Sequence, residues 1–574
     1  MKIRLFEKNL LYSVISLGFM IRIYHHYNWR IWGSDSGEYL YLTRHLISNG
    51  EMLTDGYIGW GRAYPDFQGM QLLAGTLSLL TQIDYSNSLL WFIPLMSALA
   101  IPTLFMIGKK LVGFTPALFG CAFYSVTFAV VFANSHAMPG GLAETLGFVL
   151  LYSWIKGLES DDILRIDRIK RNPWSWIVAI SFLALLITHH FTLLLIISGM
   201  VGVLIVEISA GNRKNAESGI MAIGILSLGI SFYWLGYAKS FKKMLNESAF
   251  SSVSDSLPVN GILVMIPLLS LIVLWAVKDY LRLPVIKENL TQKIFLQRIL
   301  VAFAISFAGI ILILWKGVPG TIAPLQAGEY QALPYLIVNV LWISLAVNIG
   351  LVNAQKNGWL VWGWIVPILA LATVGAISGS HLLIAYRHAP YLLAPLAIMS
   401  GVGFRYLVIG FETTKRPAIA SLFIVLFLGC AIGAYPPPAV MGGFQEGTNE
   451  AELDAILWTQ FTERDALVVS DHRLSSLTFG LTETNASWEN GDLVITGNTE
   501  EAVDAGKSLS TPQAGVKQVS YVMLSEEMQK GVALLQWDPA EELTGKAKTK
   551  FTNNEEFPIW FDNGDTSIMR MNYG

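Results

Sequence analysis

Leu10-Leu-Tyr-Ser-Val-Ile-Ser-Leu-Gly-Phe-Met-Ile-Arg-Ile-Tyr-His-His-Tyr27, followed closely by Trp32-Gly-Ser-Asp35-Ser-Gly-Glu38-Tyr39, decides the reading of this chain. The first stretch is apolar and long enough to enter a hydrocarbon core of about 30 Å as a helix. Met1-Lys-Ile-Arg-Leu ahead of it looks like the start of a secretory signal, but no small-residue cleavage site follows, so an uncleaved first helix is expected. The second stretch puts two carboxylates at the membrane exit. Asp35 and Glu38 are spaced by three, so a helical turn would present both on one side. Such a pair is suited to proton transfer or to holding a divalent cation through oxygen ligands.

The apolar pattern then repeats. Of 574 residues, 53% are hydrophobic and 14% charged. Spans are expected at roughly 10–27, 88–107, 111–133, 141–158, 175–188, 190–207, 218–237, 259–277, 297–315, 334–353, 358–378, 389–408 and 418–434, thirteen in all. The 33-residue run 175–207 is read as two short helices meeting at Thr188-His189-His190, and 69–83 as a helix lying at the outer interface. After Tyr435-Pro-Pro-Pro438 the composition turns polar, with 22 Asp+Glu against 9 Lys+Arg, whereas residues 1–434 carry 20 against 30. The expectation is a polytopic α-helical membrane protein, residues 1–434, with a C-terminal external mixed α/β domain, residues 435–574. Strand-like runs in that domain are Ala466–Val469, Asp492–Thr496, Val519–Leu524 and Thr566–Arg570, and helical patterning covers 449–462.

Orientation follows from basic residues, which stay in cytoplasmic loops. With the N-terminus inside, 21 of the 30 Lys and Arg of the membrane part are cytoplasmic, and an odd number of spans puts the tail outside. The only cysteines, Cys121 and Cys430, lie inside apolar runs, so no disulfide framework or zinc-thiolate site can be built. Membrane lipid is an expected partner, and nucleic acid is not.

Past the exit, the loop 28–87 carries Asp35-Ser-Gly-Glu-Tyr39, Leu46-Ile-Ser-Asn-Gly50, then Tyr64-Pro65 and a Gly-initiated helix, with Lys109-Lys110 splitting the next two spans. This order resembles the membrane-embedded type C glycosyltransferases, which take sugar from a polyprenyl-phosphate or polyprenyl-pyrophosphate donor. Thirteen spans with an external C-terminal domain look most like the oligosaccharyltransferase catalytic subunit. The resemblance implies an inverting transfer at the outer face of a prokaryotic plasma membrane, to an acceptor glycan, lipid or protein, assisted by a divalent cation (Mg or Mn).

Residue by residue, the resemblance makes Asp35 the first-loop aspartate that engages metal or acceptor, with Glu38 beside it. The second outer loop, Asn134-Ser-His-Ala-Met-Pro-Gly-Gly-Leu-Ala-Glu144, supplies His136 and Glu144 as further metal ligands, although it departs from a clean Asp-x-Asp or Asp-x-His pattern. A carboxylate in the first turn of the 141–158 helix also suits the helix dipole without any function. His189 and His190 fall where family members place a pair facing the cavity, and Arg387-His388-Ala-Pro-Tyr-Leu-Leu-Ala-Pro resembles the late segment whose arginine pairs with the lipid phosphate. A guanidinium fork matches phosphate oxygens, and a charge at a membrane boundary is costly without a partner. Snorkelling to the interface is the plainer role for Arg387. Glu329, in the Gly/Pro-rich loop 316–333, matches the glutamate of the mobile outer loop. The tail lacks Trp-Trp-Asp-Tyr-Gly, the sequon-reading motif of oligosaccharyltransferases, and has Val468-Val-Ser-Asp471-His472-Arg473 in its place.

A transporter or flippase is the rival class. Polar residues concentrate at the outer ends of the spans and the two halves show no repeat, which favours the enzyme.

Overall fold

Two glycines bring the front of the chain against its tail. The helix Ser36–Asn49 and the helix His472–Thr482 cross where Gly37 meets Gly480. A Cβ on Gly37 would stand 1.9 Å from the Ser476 carbonyl oxygen, and one on Gly480 2.1 Å from the Gly37 oxygen. Only glycine allows backbones so close. The computed structural model describes residues 2–248, 350 and 356–573, except 54–55, 160–171, 211–212, 379–382, 384, 411–415, 436–445, 490, 531–542 and 553–554.

Among the described residues, five helical stretches are long and apolar enough to cross a membrane: Tyr85–Val112, His190–Ser209, Glu217–Tyr237, Gly358–Gly375 and Ala389–Val408. The pair Phe114–Val126 and Phe128–Ser135, bent by 63°, brings the number to six if it is one span. The molecule is thus mostly helical with several membrane-competent helices. The expected spans at 259–277 and 297–315, and nearly all of 334–353, lie outside the described residues. The long run 175–207 is two helices, Pro173–Leu186 and His190–Ser209, and Gly69–Thr81 is the short helix expected after the first loop.

The helices pack on a core that includes Phe148, Trp154, Met200, Trp364 and Ile398. A second core joins the first loop to the tail, since Tyr39, Leu40, Met70 and Ile93 belong to the same cluster as Leu474, Leu477 and Val522. The tail's sheet has strand order Asn485–Ser487, Leu467–Val469, Tyr521–Ser525, Thr566–Arg570 and Ile559–Asp562. Its first three strands run parallel and its last two pair antiparallel. A two-stranded ribbon stitches the halves together, with Ile31 opposite Thr448 and Trp32 opposite Gly447.

One strand expectation is corrected. Asp492–Thr496 is a short helix that buries the adjacent Val494 and Ile495. An apolar run this short reads equally as strand or buried helix from periodicity, and here neighbouring rather than alternate residues face the core.

Candidate active site

The ribbon and the glycine crossing set Asp35 just ahead of the helix Ser36–Asn49 and opposite His472, the first residue of its own helix. His472 Nε2 lies 2.8 Å from Asp35 Oδ1, and the Tyr64 hydroxyl donates to Asp35 Oδ2 at 3.2 Å. Tyr64 in turn accepts from the Tyr39 hydroxyl at 3.1 Å. Partial burial pushes the Asp35 carboxyl up, but the His472 and Tyr64 hydrogen bonds and the charge of Arg387 outweigh it and hold the group below its usual value. For His472, burial acts downward, and the carboxylates of Asp35, Glu38 and Glu446 win and raise it.

Asp471-His472-Arg473 divides the labour of anchoring this contact. The Asp471 side chain caps the helix by accepting from the Leu474 amide at 2.8 Å. Arg473 is fully buried and makes a fork to Glu452, at 2.6 and 2.7 Å, with a further bond to Asp471 at 3.2 Å. His472, between them, is left to face the first loop.

Glu38, 2% exposed, sits in a cradle of backbone amides, accepting from Trp60 N and, at 2.8 Å, from Gly61 N. Burial, then the negative charge of Asp35, raise its carboxyl to about 7. The two carboxyls therefore separate in character: Asp35 is held below its usual value, while Glu38 keeps its proton up to about pH 7.

Arg387 lies in a single helical turn, Ala385–His388, just ahead of the helix Ala389–Gly410. It is exposed, and its charge reaches Asp35, His189 and His190. His189 caps the helix His190–Ser209, its Nδ1 2.8 Å from the Thr192 hydroxyl. His190 packs between Phe67 and Phe241, with ring centroids at 4.9 and 4.4 Å. His388 is buried edge-on to Phe191 at 4.9 Å. The structure thus brings Asp35, Arg387 and the histidine pair into one electrostatic neighbourhood.

Of the expected metal ligands Asp35, His136 and Glu144, the last two have other neighbours of their own. Glu144 is fully turned to the bundle interior, accepting from the Tyr124 hydroxyl at 2.7 Å and the Asn134 amide at 2.9 Å. His136 stacks against Trp32, with centroids 5.3 Å apart, and its nearest carboxylate is Glu446, at 4.0 Å. Among the described residues no three His, Cys, Asp or Glu side chains gather as a metal site. Glu329 lies outside the described residues.

Sequence reasoning missed Glu446 and His472. Glu446 accepts from Ser34 N at 2.7 Å, and nothing in its local sequence signals this. His472 had a signal, an Asp-His-Arg triplet between a strand and a helix.

No protein-family model and no curated relative matches the sequence. The fold is similar to that of the oligosaccharyltransferase AglB from Archaeoglobus fulgidus, solved with an inhibitory peptide and a dolichol-phosphate: TM-score 0.56, 13% identity, 91% of this chain and 70% of that one covered. An Archaeoglobus fulgidus oligosaccharyltransferase in the apo form gives a TM-score of 0.58 at 12% identity, again covering 91% and 70%. ArnT from Cupriavidus metallidurans covers 100% of this chain and 99% of its own at 13% identity, but its TM-score of 0.38 carries no argument. At 12–13% identity the likeness to the oligosaccharyltransferase is one of fold.

Proposed function

We propose that the chain is a glycosyltransferase that moves a sugar or oligosaccharide from a polyprenyl-(pyro)phosphate donor to an acceptor hydroxyl at the outer membrane face, with inversion. The observation that carries this reading is an aspartate kept ionised by His472 and Tyr64 within electrostatic reach of Arg387, which stands at the head of a membrane-competent helix. A base for the acceptor and a cation for a leaving phosphate are the two groups that such a displacement needs.

In this mechanism the acceptor oxygen attacks the anomeric carbon as the bond from that carbon to the phosphate oxygen breaks. The acceptor proton passes to Asp35, and the electron pair leaves with the lipid phosphate, which Arg387 stabilises. His472 holds Asp35 in place and in its ionised form. His189, His190 and His388 line the phosphate side. The N-terminus is cytoplasmic, and the loop 28–87 and the tail 435–574 face outward on a prokaryotic plasma membrane. The fold neighbour solved with dolichol-phosphate supports a polyprenyl donor.

The test is binding and turnover with the purified chain. A non-transferable polyprenyl-phosphate analogue should bind saturably, and cells lacking the protein should accumulate a lipid-linked sugar detectable by mass spectrometry. No analogue binding, together with an unchanged lipid-linked pool, would remove the proposal.

A further inference from the structure

The end of the tail's sheet turned away from Asp35 carries an open cleft that the reaction scheme does not use. His472 follows the C-terminal end of the strand Leu467–Val469. Glu463 precedes that strand, Gln518 and Ser520 precede the parallel strand Tyr521–Ser525, and Asn572 follows the antiparallel strand Thr566–Arg570. All four therefore lie at the opposite end of the sheet from His472. With Trp560 and Arg570 they line a cleft of about 740 Å³. Sites for small molecules typically measure about 300–1,000 Å³.

Trp560 is placed there by a fault in the sheet. The strand Ile559–Asp562 is the sheet's last among the described residues, and its register shifts between Ile559 and Phe561, which makes Trp560 the extra residue of a β-bulge. A bulge re-aims side chains that strand alternation would send to opposite faces. Ile559 and Trp560 are both left outward, 52% and 50% exposed. Among the described tryptophans only Trp176 is as open, and it sits in the apolar helix Pro173–Leu186. The Trp560 ring is also held in position. The Arg570 guanidinium lies 4.9 Å from its centroid, and Arg570 Nη2 is 3.5 Å from Glu463 Oε1. Tyr521 meets the same ring at 6.0 Å and donates its hydroxyl to Glu463 Oε2 at 2.7 Å.

The lining narrows the ligand. An indole offers a flat apolar surface, and the carboxylate, guanidinium, amide and hydroxyl groups around it supply both donors and acceptors. Glu463 and Arg570 offset each other's charge, so the cleft favours neither an anion nor a cation. A neutral molecule with a flat C–H face and a rim of hydroxyls matches both properties, and that is the chemistry of a saccharide. A hydrocarbon chain would leave the polar rim without partners. Strand addition by a peptide needs a regular row of N–H and C=O groups, which the bulge interrupts.

We infer that Trp560, Arg570 and Glu463 form a saccharide-binding site on the tail, separate from the Asp35 site and at the opposite end of the sheet. The inference goes beyond the proposed transfer reaction and does not depend on it. For a glycosyltransferase, such a site holds a glycan by a part remote from the reacting groups.

The experiment uses the full-length chain in a detergent without a sugar headgroup and saturation-transfer NMR with a fixed set of probes: maltose, lactose, cellobiose, chitobiose and a Thr-Val-Thr-Val-Thr peptide. Wild type, Trp560→Ala, Trp560→Tyr and Glu463→Ala are compared, each checked for folding by thermal unfolding. Both positions are at least half exposed, so the fold should hold. Saturable binding of at least one disaccharide, weakened about ten-fold in Trp560→Ala, less in Glu463→Ala and largely kept in Trp560→Tyr, is the expected result, with the polyprenyl-phosphate analogue bound as in wild type. If Trp560→Ala does not fold, Glu463→Ala decides, and undiminished binding there overturns the inference. So do disaccharide binding equal in all the proteins, peptide binding in place of saccharide, and no disaccharide binding by folded wild type. Wild type that binds a disaccharide through Trp560 but not the polyprenyl-phosphate analogue would bring down the glycosyltransferase reading and leave this site standing.

Discussion

Asp35 and His472 stand 437 residues apart in the chain, and their side chains meet at 2.8 Å. The contact depends on the whole frame around it: the ribbon pairing Trp32 with Gly447, the crossing of Gly37 on Gly480, and the Asp471 cap. Separating the two halves would remove the hydrogen bond that keeps the Asp35 carboxyl low.

Asp35→Asn removes the charge and keeps the size, so the protein should fold while transfer falls by about 10² or more. His472→Asn should lower turnover less, by about ten-fold, because it loosens the base without deleting it. Turnover of the purified variants with a polyprenyl-linked donor decides both. Near-normal rates in Asp35→Asn would remove Asp35 from the chemistry.

Glu38 predicts a pH dependence of stability. Its carboxyl is raised to about 7 by burial and by Asp35, so between its ordinary value and about 7 the folded chain holds a proton that the unfolded chain has lost. Stability from this group is fully present below the ordinary glutamate value and drains away as pH rises through about 7. A shift of that size corresponds to roughly 3 kcal/mol. Thermal unfolding of wild type and Glu38→Gln across this range should show the steeper decline in wild type. Parallel curves would show that Glu38 ionises freely in the folded protein.

The buried fork between Arg473 and Glu452 should be costly to break from one side. Arg473→Met leaves Glu452 charged and unpaired in the tail's interior, and about 3–5 kcal/mol of destabilisation is expected. Adding Glu452→Gln should recover part of the loss. Denaturant unfolding of the full-length single and double variants measures both, and a double variant no better than the single would deny the coupling.

How much of this was legible in the sequence differs between the two halves. Apolar runs and the Thr188-His189-His190 break announce helices directly, because a membrane helix is specified by composition and length. Asp35 stands out in the sequence because it follows a span at once, but its contact with His472 does not. Glu446 was not legible, since its importance comes from a ribbon pairing that only the folded chain forms. For Glu144 the position on a helix is readable, but not that Tyr124 and Asn134 donate to its carboxylate inside the bundle.

Topology is open to direct labelling. Cys121 and Cys430 are both buried, so they should stay silent to an impermeant maleimide. In intact cells Ser508→Cys, exposed in the tail, should label, and Lys109→Cys, exposed at the end of its helix, should not. Labelling at position 109 alone would reverse the orientation.

Arg387 carries the phosphate half of the proposal. It is exposed at the head of the helix Ala389–Gly410, and its charge reaches Asp35, His189 and His190, so a phosphate bound there would lie between the base and the membrane. Arg387→Lys keeps the charge but loses the bidentate fork, and Arg387→Ala loses both. Because the side chain is reached by water, its contribution is smaller than that of a buried pair, and a donor affinity about ten-fold weaker in the alanine variant is expected, with lysine in between. Calorimetry with a non-transferable polyprenyl-phosphate analogue distinguishes the three proteins. Equal affinity in folded wild type, Lys and Ala variants would return Arg387 to the role of an interfacial anchor, and the leaving phosphate would need another cation.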